Sequence, residues 1–521
     1  MNMCKSISLA GLVALAGCGL QTGNTYLGEA LWNPEVIGAA DGIYIQMPYI
    51  GGLIRVKEDG TVTQVDLKGA NPSRMIRNPD GSKLLVFSQW VQCKDDAEEI
   101  VLVSDCDQGD LVYNSELEII ENGQASHFIP IAPHLNAVEF SAQSQIAVAY
   151  RDDSAQDFIV DGLADLGEVM FIDTSTGEVK GRVSVGFTPS RILFGPNNQV
   201  VVMSRSKVVA VDLETFDKIL EAPLTLDADQ EVDPSGAELA YDADSGSTTL
   251  LLTVKGSSDL YMLDLQTEFW NIGDLGAIPT SIGVDNSSSK SVFVFDSSSK
   301  VVVLDHGSLA TLNSNSLDSI QLEEPSNKSI LGLGFALLYN DANSYVHDVY
   351  RLDLETNDLT EYVLENPLSQ LDLSDSGRYA VGIMQPETYG SGYADNNWGI
   401  SVLDMASDDV VNLVAESRPI GVELVEDENN SYALVLMEGV EFVLKMNLAD
   451  PLGASKIDLP APPVAIGSMQ TAEGHFVISH DVDFGMISTL DPQTETLTTI
   501  SGFGAVNILS ENKLPRRAQE E

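Results

Sequence analysis

One pattern recurs along this chain every 39 to 64 residues, and a chain built that way can bury its apolar faces only by stacking its repeats against one another. The clearest copy runs from Gly167 to Ser204. It holds a strand ending at Asp173, a tight turn at Thr176-Gly177, a second alternating strand, a Pro-containing loop, a strand through Ile192 to Phe194, a turn at Pro196-Asn197-Asn198 and a strand at Val200 to Met203. Aligned on the strand-ending position, further copies fall at Lys57, Glu121, Asp212, Asp264, Asp305, Asp353, Asp404, Asn447 and Asp491. That makes ten candidates, of which those at Glu121 and Asn447 are the weaker. A carboxylate at the end of such a strand can accept amide hydrogens across the following turn, so these aspartates read as structural rather than catalytic.

Four short strands per unit, with no helical periodicity between units, specify an all-β fold: a β-propeller of four-stranded blades. Its ring is expected to close by pairing N- and C-terminal strands. The first copy shows three strands from Gly42 to Asp66, and Gly504 to Ser510 reads as the lone strand that completes them, removing two exposed edges. Familiar propellers have about 4 to 8 blades, so ten candidates imply a large ring, two rings, or hairpins inserted into a smaller one. The pattern resembles the YVTN-type propellers, related in shape to WD40 rings, over residues 40 to 510, although segments such as Val201-Val202-Met203-Ser204 replace the namesake tetrapeptide. That resemblance implies an architecture, not an activity. The tryptophans Trp32, Trp90, Trp270 and Trp398 share no register, so the docking pattern of the quinone-cofactor propellers is absent.

Lys5 precedes an apolar run from Ile7 to Leu15, which is closed by Leu15-Ala16-Gly17-Cys18. The run is short of the roughly 20 residues that span a bilayer and reads as a secretory signal. It resembles the lipobox of bacterial lipoproteins. The resemblance implies cleavage after Gly17, lipidation of Cys18 and anchoring by lipid in a bacterial cell envelope, periplasmic or surface-facing; Gly19 tilts the expectation toward the outer membrane. The chain then divides into a signal (1–17), a lipidated N-terminus and tether (18–40), the propeller (41–510) and a polar tail (511–521). In an exported protein the remaining Cys93 and Cys106 are expected to form a disulfide contributing about 3 kcal/mol, with free thiols or a metal site as alternatives.

Seventy-eight acidic against 27 basic residues give a net charge of −51, which repels phosphate backbones and excludes nucleic acid as a partner. Such a surface suits solubility in salt, or the binding of cations or a basic partner. Long insertions are expected between the second and third strands of a blade, at about 94–111, 151–166, 243–248, 340–347 and 386–398, all emerging on one face. Asp95, Asp96, Asp152 and Asp153 make this face acidic, and Tyr389, Tyr393 and Trp398 supply aromatic area for an envelope protein or a glycan.

No nucleophile elbow, zinc-binding H-E-x-x-H or phosphate loop is present, and neither a catalytic residue nor a metal ligand is assigned. Asp242-Ala243-Asp244-Ser245-Gly246 holds a fragment of a calcium loop without its distal glutamate, which leaves calcium as the one cofactor to consider. His480-Asp481-Val482-Asp483 reads as a surface network. The expectation is a membrane-anchored, noncatalytic propeller scaffold; the alternative is a propeller hydrolase such as a lactonase. The hydrolase predicts a cluster of His, Asp, Glu or Arg in the central channel, and the scaffold predicts small or apolar groups there.

Overall fold

The computed structural model describes residues 6–8, 35–47, 52–57, 61–69, 72–93, 111–141, 143–152, 165–186, 188–195, 197–224, 232, 234–295, 300–308, 311–316, 327–331, 334–340, 347–386, 397–426, 431–469, 475–480, 486–501 and 507–508. They form ten sheets, each built on four consecutive antiparallel strands and two of them extended by a fifth, parallel strand, the arrangement of a β-propeller. Blades one to ten span residues 35–65, 72–131, 137–184, 191–223, 234–274, 279–316, 327–363, 368–415, 419–458 and 463–501. Among the described residues no helix is long and apolar enough to cross a membrane.

Every position aligned in the sequence marks the end of a third strand. Leu111–Glu121 and Phe442–Asn447, the weaker copies, do so as surely as Glu168–Asp173, and Lys57 lies one residue past Gly52–Val56. The phase of the repeat is nevertheless different from the sequence reading. Glu168–Asp173 and Val179–Ser184 close blade three, whereas Arg191–Gly195 and Gln199–Met203 open blade four, so the stretch from Gly167 to Ser204 straddles two sheets.

Proline sets that phase. Pro34, Pro72, Pro133, Pro189, Pro234, Pro279, Pro325, Pro367, Pro419 and Pro463 stand at, or within four residues before, the start of the ten first strands. Proline lacks the amide that would continue a ladder, so it belongs at the first residue of a strand or at a bulge. The ladder slips between Pro72 and Arg74, Pro234 and Gly236, Pro279 and Ser281, Leu368 and Gln370, Pro419 and Gly421, and Pro463 and Ala465. Each slip re-aims the strand as it enters its blade.

The chain divides into two compact units, residues 1–188 with 439–443 and 457–521, and residues 189–438 with 444–456. In the first, the terminal segments pair as expected: Glu35 lies opposite Asn507 and Val36 opposite Ile508, in parallel. Their role differs from the expectation. Glu35–Ala39 already supplies the first strand of blade one, so Asn507–Ile508 is a fifth strand rather than the missing fourth. Ser6–Ser8, within the segment read as the export signal, lies parallel to Thr496–Ser501. Ile43, Ile45, Ile54 and Val56 of blade one pack on Met469, Val477, Ile487 and Ile500 of blade ten, all nearly inaccessible to water. In the second unit Val201, Met203, Val208 and Ala210 pack on Leu250, Leu252, Leu263 and Leu265. At about 25 cal/mol per Å² of apolar surface, these sandwiches between neighbouring blades supply most of the favourable folding energy.

Candidate functional site

The two ends of the blades differ in kind. At one end of each blade lie the turns between first and second and between third and fourth strands, and several of those among the described residues are short and capped from within. Asp173 accepts the amides of Ser175 and Thr176 at 2.9 and 3.0 Å, Asp212 those of Glu214 and Thr215 at 2.8 Å each, and Asp353 those of Glu355 and Thr356 at 2.9 and 2.8 Å. Asp264 and Asp491 bind in the same way, and Asn447 replaces the carboxylate with its amide oxygen. Hydrogen bonds, first that from the Ser175 hydroxyl, pull the Asp173 carboxyl down to about 2. The structural role expected of these aspartates is the one observed.

Asp242 to Gly246 belongs to this end. It joins Pro234–Asp242 to Ser247–Val254, the first and second strands of blade five, which corrects its placement among the insertions between second and third strands. Its deceptive signal is the capping chemistry itself: the Asp242 carboxylate accepts Asp244 N at 3.2 Å, Ser245 N at 3.3 Å and the Ser245 hydroxyl at 2.5 Å. Among the described residues no group of three or more His, Cys, Asp or Glu could hold a metal ion.

The scarce cations tie blades together. Arg55 donates to the Asn122 carbonyl at 2.9 Å, Lys83 to Thr174 O at 2.8 Å and Arg351 to Met405 O at 2.6 Å, while Lys290 donates to Leu354 O; each reaches the turn of the following blade. A charge-assisted bond to a carbonyl orients a turn whose own ladder has ended. Three of these cations also pair with a carboxylate, Arg55 with Asp41 at 2.9 Å, Lys83 with Glu121 at 3.3 Å and Arg351 with Asp408 at 2.9 Å.

First strands of successive blades approach one another within each unit, which places them at the crowded inner edge of the sheets. They are not lined by small and apolar groups alone. In the first unit Arg74 donates to Asn136 O at 2.9 Å, close to Glu139; in the second Arg191 donates to Ala237 O at 2.7 Å, close to Glu238. Burial pushes the Glu139 carboxyl up to about 7 and raises that of Glu238. Both arginines bond to the backbone of the next blade, which makes them further clasps. His480, read as part of a surface network, is instead buried: Nδ1 donates to Ala461 O at 2.8 Å and Nε2 accepts from the Ser488 hydroxyl at 2.7 Å. His306 repeats the arrangement with Tyr241 O at 2.9 Å and Ser291 at 2.8 Å. Both serines are fully buried, so these pairs are clips in the core and not nucleophiles.

Four of the five expected insertions, about 94–111, 151–166, 340–347 and 386–398, connect the second to the third strand of their own blades, opposite the capped turns, two in the first unit and two in the second. Asp95, Asp96, Asp153, Tyr389, Tyr393, Cys106 and Cys18 lie outside the described residues, and of Cys93 only its backbone pairing with Leu111 is described. Asp152 sits at the base of its insertion, 8% exposed. Its backbone is clamped by the Asn136 side chain, which donates to Asp152 O at 2.9 Å and accepts from Asp152 N at 2.6 Å. Trp398 opens the third strand of blade eight, half-buried, with the exposed Arg418 guanidinium 5.1 Å from its ring centroid. Trp90 and Trp270 occupy a second and a fourth strand, so no tryptophan register exists among the three described.

No family model matches the sequence, and no curated protein is similar to it in sequence. Solved structures resemble it at low identity. A eukaryotic initiation factor shares 10% identity over 81% of this chain and 88% of its own, with a TM-score of 0.43. The dihydro-heme d1 dehydrogenase NirN shares 13% over 66% and 70%, with a TM-score of 0.40. AztD from Citrobacter koseri shares 11% over 63% and 86%, with a TM-score of 0.35. The chain's own sheet topology makes it a β-propeller, WD40-like in architecture.

Proposed function

We propose that this protein is a lipid-anchored, extracytoplasmic lipoprotein of a bacterial envelope, and that its propeller is a noncatalytic scaffold docking an envelope protein or glycan at the insertion-bearing end. The observation that carries the docking reading is the asymmetry of the blades. Four long insertions leave from the ends of second strands, whereas the opposite turns are short and saturated by their own capping bonds. Loops held at fixed spacing on stacked sheets lose less conformational freedom on binding than loops on a mobile chain. Leu15-Ala16-Gly17-Cys18 supports the anchor.

The test is cross-linking in intact cells that carry full-length protein or variants in which one insertion at a time is replaced by a two-residue turn. Loss of a specific cross-linked partner on shortening 94–111, 151–166 or 386–398 is the expected result. A partner recovered equally from every shortened variant would overturn the assignment of this end.

A further inference from the structure

The repeats provide their own controls, and blade five departs from them at its outer edge. The residue whose carbonyl accepts the amide of the strand-ending aspartate is Glu178 in blade three, Asp217 in blade four and Asp358 in blade seven. The ladder puts Asp409 and Thr496 there in blades eight and ten. In blade five it is Phe269, 69% exposed. Three residues before the strand-ending position, the partner on the outer strand is Gln64, Arg182, Glu221, Ser314, Glu361, Asn412 or Thr499 in seven other blades. Blade two has Phe128 there, with the Lys68 ammonium over its ring. Blade five has Ile272, 59% exposed.

An outer strand presents unpaired amides and carbonyls, and folded proteins blunt such edges with charge or proline. Val179–Ser184 carries Lys180 and Arg182, and Lys218–Pro223 carries Lys218, Glu221 and a terminal proline. In blade seven the exposed Leu359 and Val363 flank Glu361. The outer strand of blade five, Trp270–Asp274, shares the lack of Lys, Arg and Pro with those of blades one, six, seven, eight and ten, and differs from them in carrying exposed apolar side chains at both compared positions, Phe269 and Ile272. Ile272 lies within the strand and Phe269 immediately ahead of its first residue, so both border the same edge. A strand added along that edge would run past both.

The geometry points to the outer edge of blade five as an acceptor for an extended segment of another protein, apolar along its length and basic at its ends. Glu268 and Asp274 bracket the apolar stretch and supply the charge complementarity. A second copy of this chain fits poorly, since antiparallel pairing about Asn271 would set Glu268 of one copy against Asp274 of the other, on chains of net charge −51. This site is independent of the insertion-bearing end.

The probe is a labelled peptide of alternating valine and threonine with a lysine at each end, titrated against the full chain by fluorescence anisotropy. The key variant is the pair Phe269→Asp and Ile272→Glu, which installs the residues of blade seven. It makes the edge more acidic, so purely electrostatic attraction would tighten, whereas strand addition is expected to weaken about tenfold or more. N-methylation of alternate peptide amides is expected to abolish binding, and both side chains are exposed enough that Tm should not move. The inference fails if the peptide does not bind at millimolar concentration, if the double variant binds it as well or better, if N-methylation has no effect, or if the free protein sediments as a dimer that the double variant disperses.

Discussion

The Arg77 guanidinium, 5% exposed, donates through Nη1 to the backbone carbonyl of Gly38 at 2.8 Å. The same nitrogen lies 3.1 Å from Ser468 O, so a single side chain of blade two holds blades one and ten together where the terminal segments meet. Gly38 is required there because a Cβ would lie 2.6 Å from Ser468 O and 2.8 Å from the Met469 Cα, both backbone atoms. Arg77→Met leaves buried carbonyls short of their donor and is expected to cost about 2–4 kcal/mol. Gly38→Ala should cost a similar amount through the clash, about 1–3 kcal/mol. Urea-denaturation midpoints check both; values within error of wild type would mean that this junction does not limit stability.

Acid should act in two separable windows. Burial lowers the pKa of His306 and His480 below the ordinary 6.5, so protons bind more tightly to the unfolded chain. The stability contributed by the neutral imidazoles is complete above about pH 6.5 and is lost as pH falls through that value toward the lowered folded-state pKa. The aspartate caps work at lower pH: Asp173 keeps its contribution above the ordinary 3.8 and loses it as pH falls toward about 2. Glu139, raised to about 7 in the folded state, works in the opposite direction over the same range, so the check is the difference in slope: between pH 7.5 and 5 the urea midpoint of His306→Gln combined with His480→Gln is expected to fall less, or rise more, than that of wild type. An equal slope in the double variant would remove the histidines from the account.

Much of this fold is legible in local chemistry. Asp173, Asp212, Asp264, Asp353 and Asp491 announce their hairpins because the capping bonds form within three residues of the aspartate. The phase of the repeat is not local: nothing in the hairpin at Asp173 says whether its next partner is Ile146–Tyr150 before it or Arg191–Gly195 after it. The prolines ahead of the first strands do carry that information, because a missing amide marks where a ladder must begin. Asp242 misled because an acidic, serine-rich turn looks the same in composition whether it caps a hairpin or elaborates a loop. The clasps Arg55, Lys83 and Arg351 join residues 54 to 91 positions apart and leave no periodic trace.

The turns store conformational strain that two substitutions should expose with opposite signs. Gly177 sits at φ +68°, and a Cβ there would lie 2.5 Å from the His127 Cβ. Gly177→Ala is therefore expected to destabilise by about 1–3 kcal/mol, through both the left-handed backbone and the contact. Glu268 occupies the equivalent place in blade five at φ +60°, exposed and without that contact. Glu268→Gly removes the backbone penalty and should stabilise by up to about 1 kcal/mol. Destabilisation by both glycine exchanges would show that side-chain contacts, not φ, decide these turns.

The anchor makes the last prediction. Two or three acyl chains on Cys18 would each bury many methylenes at about 0.8 kcal/mol apiece, enough to hold a propeller whose described residues include no helix long and apolar enough to cross a membrane. Cys18 lies outside the described residues and well ahead of Glu35, where the first blade begins, so Cys18→Ser should leave folding untouched. The expected outcome is a shift of the full-length protein from the membrane fraction to the soluble fraction, with an unchanged thermal transition. Retention on membranes in the variant would instead mean that protein surface, not lipid, makes the attachment, and would redirect the search for the membrane contact to the blades themselves.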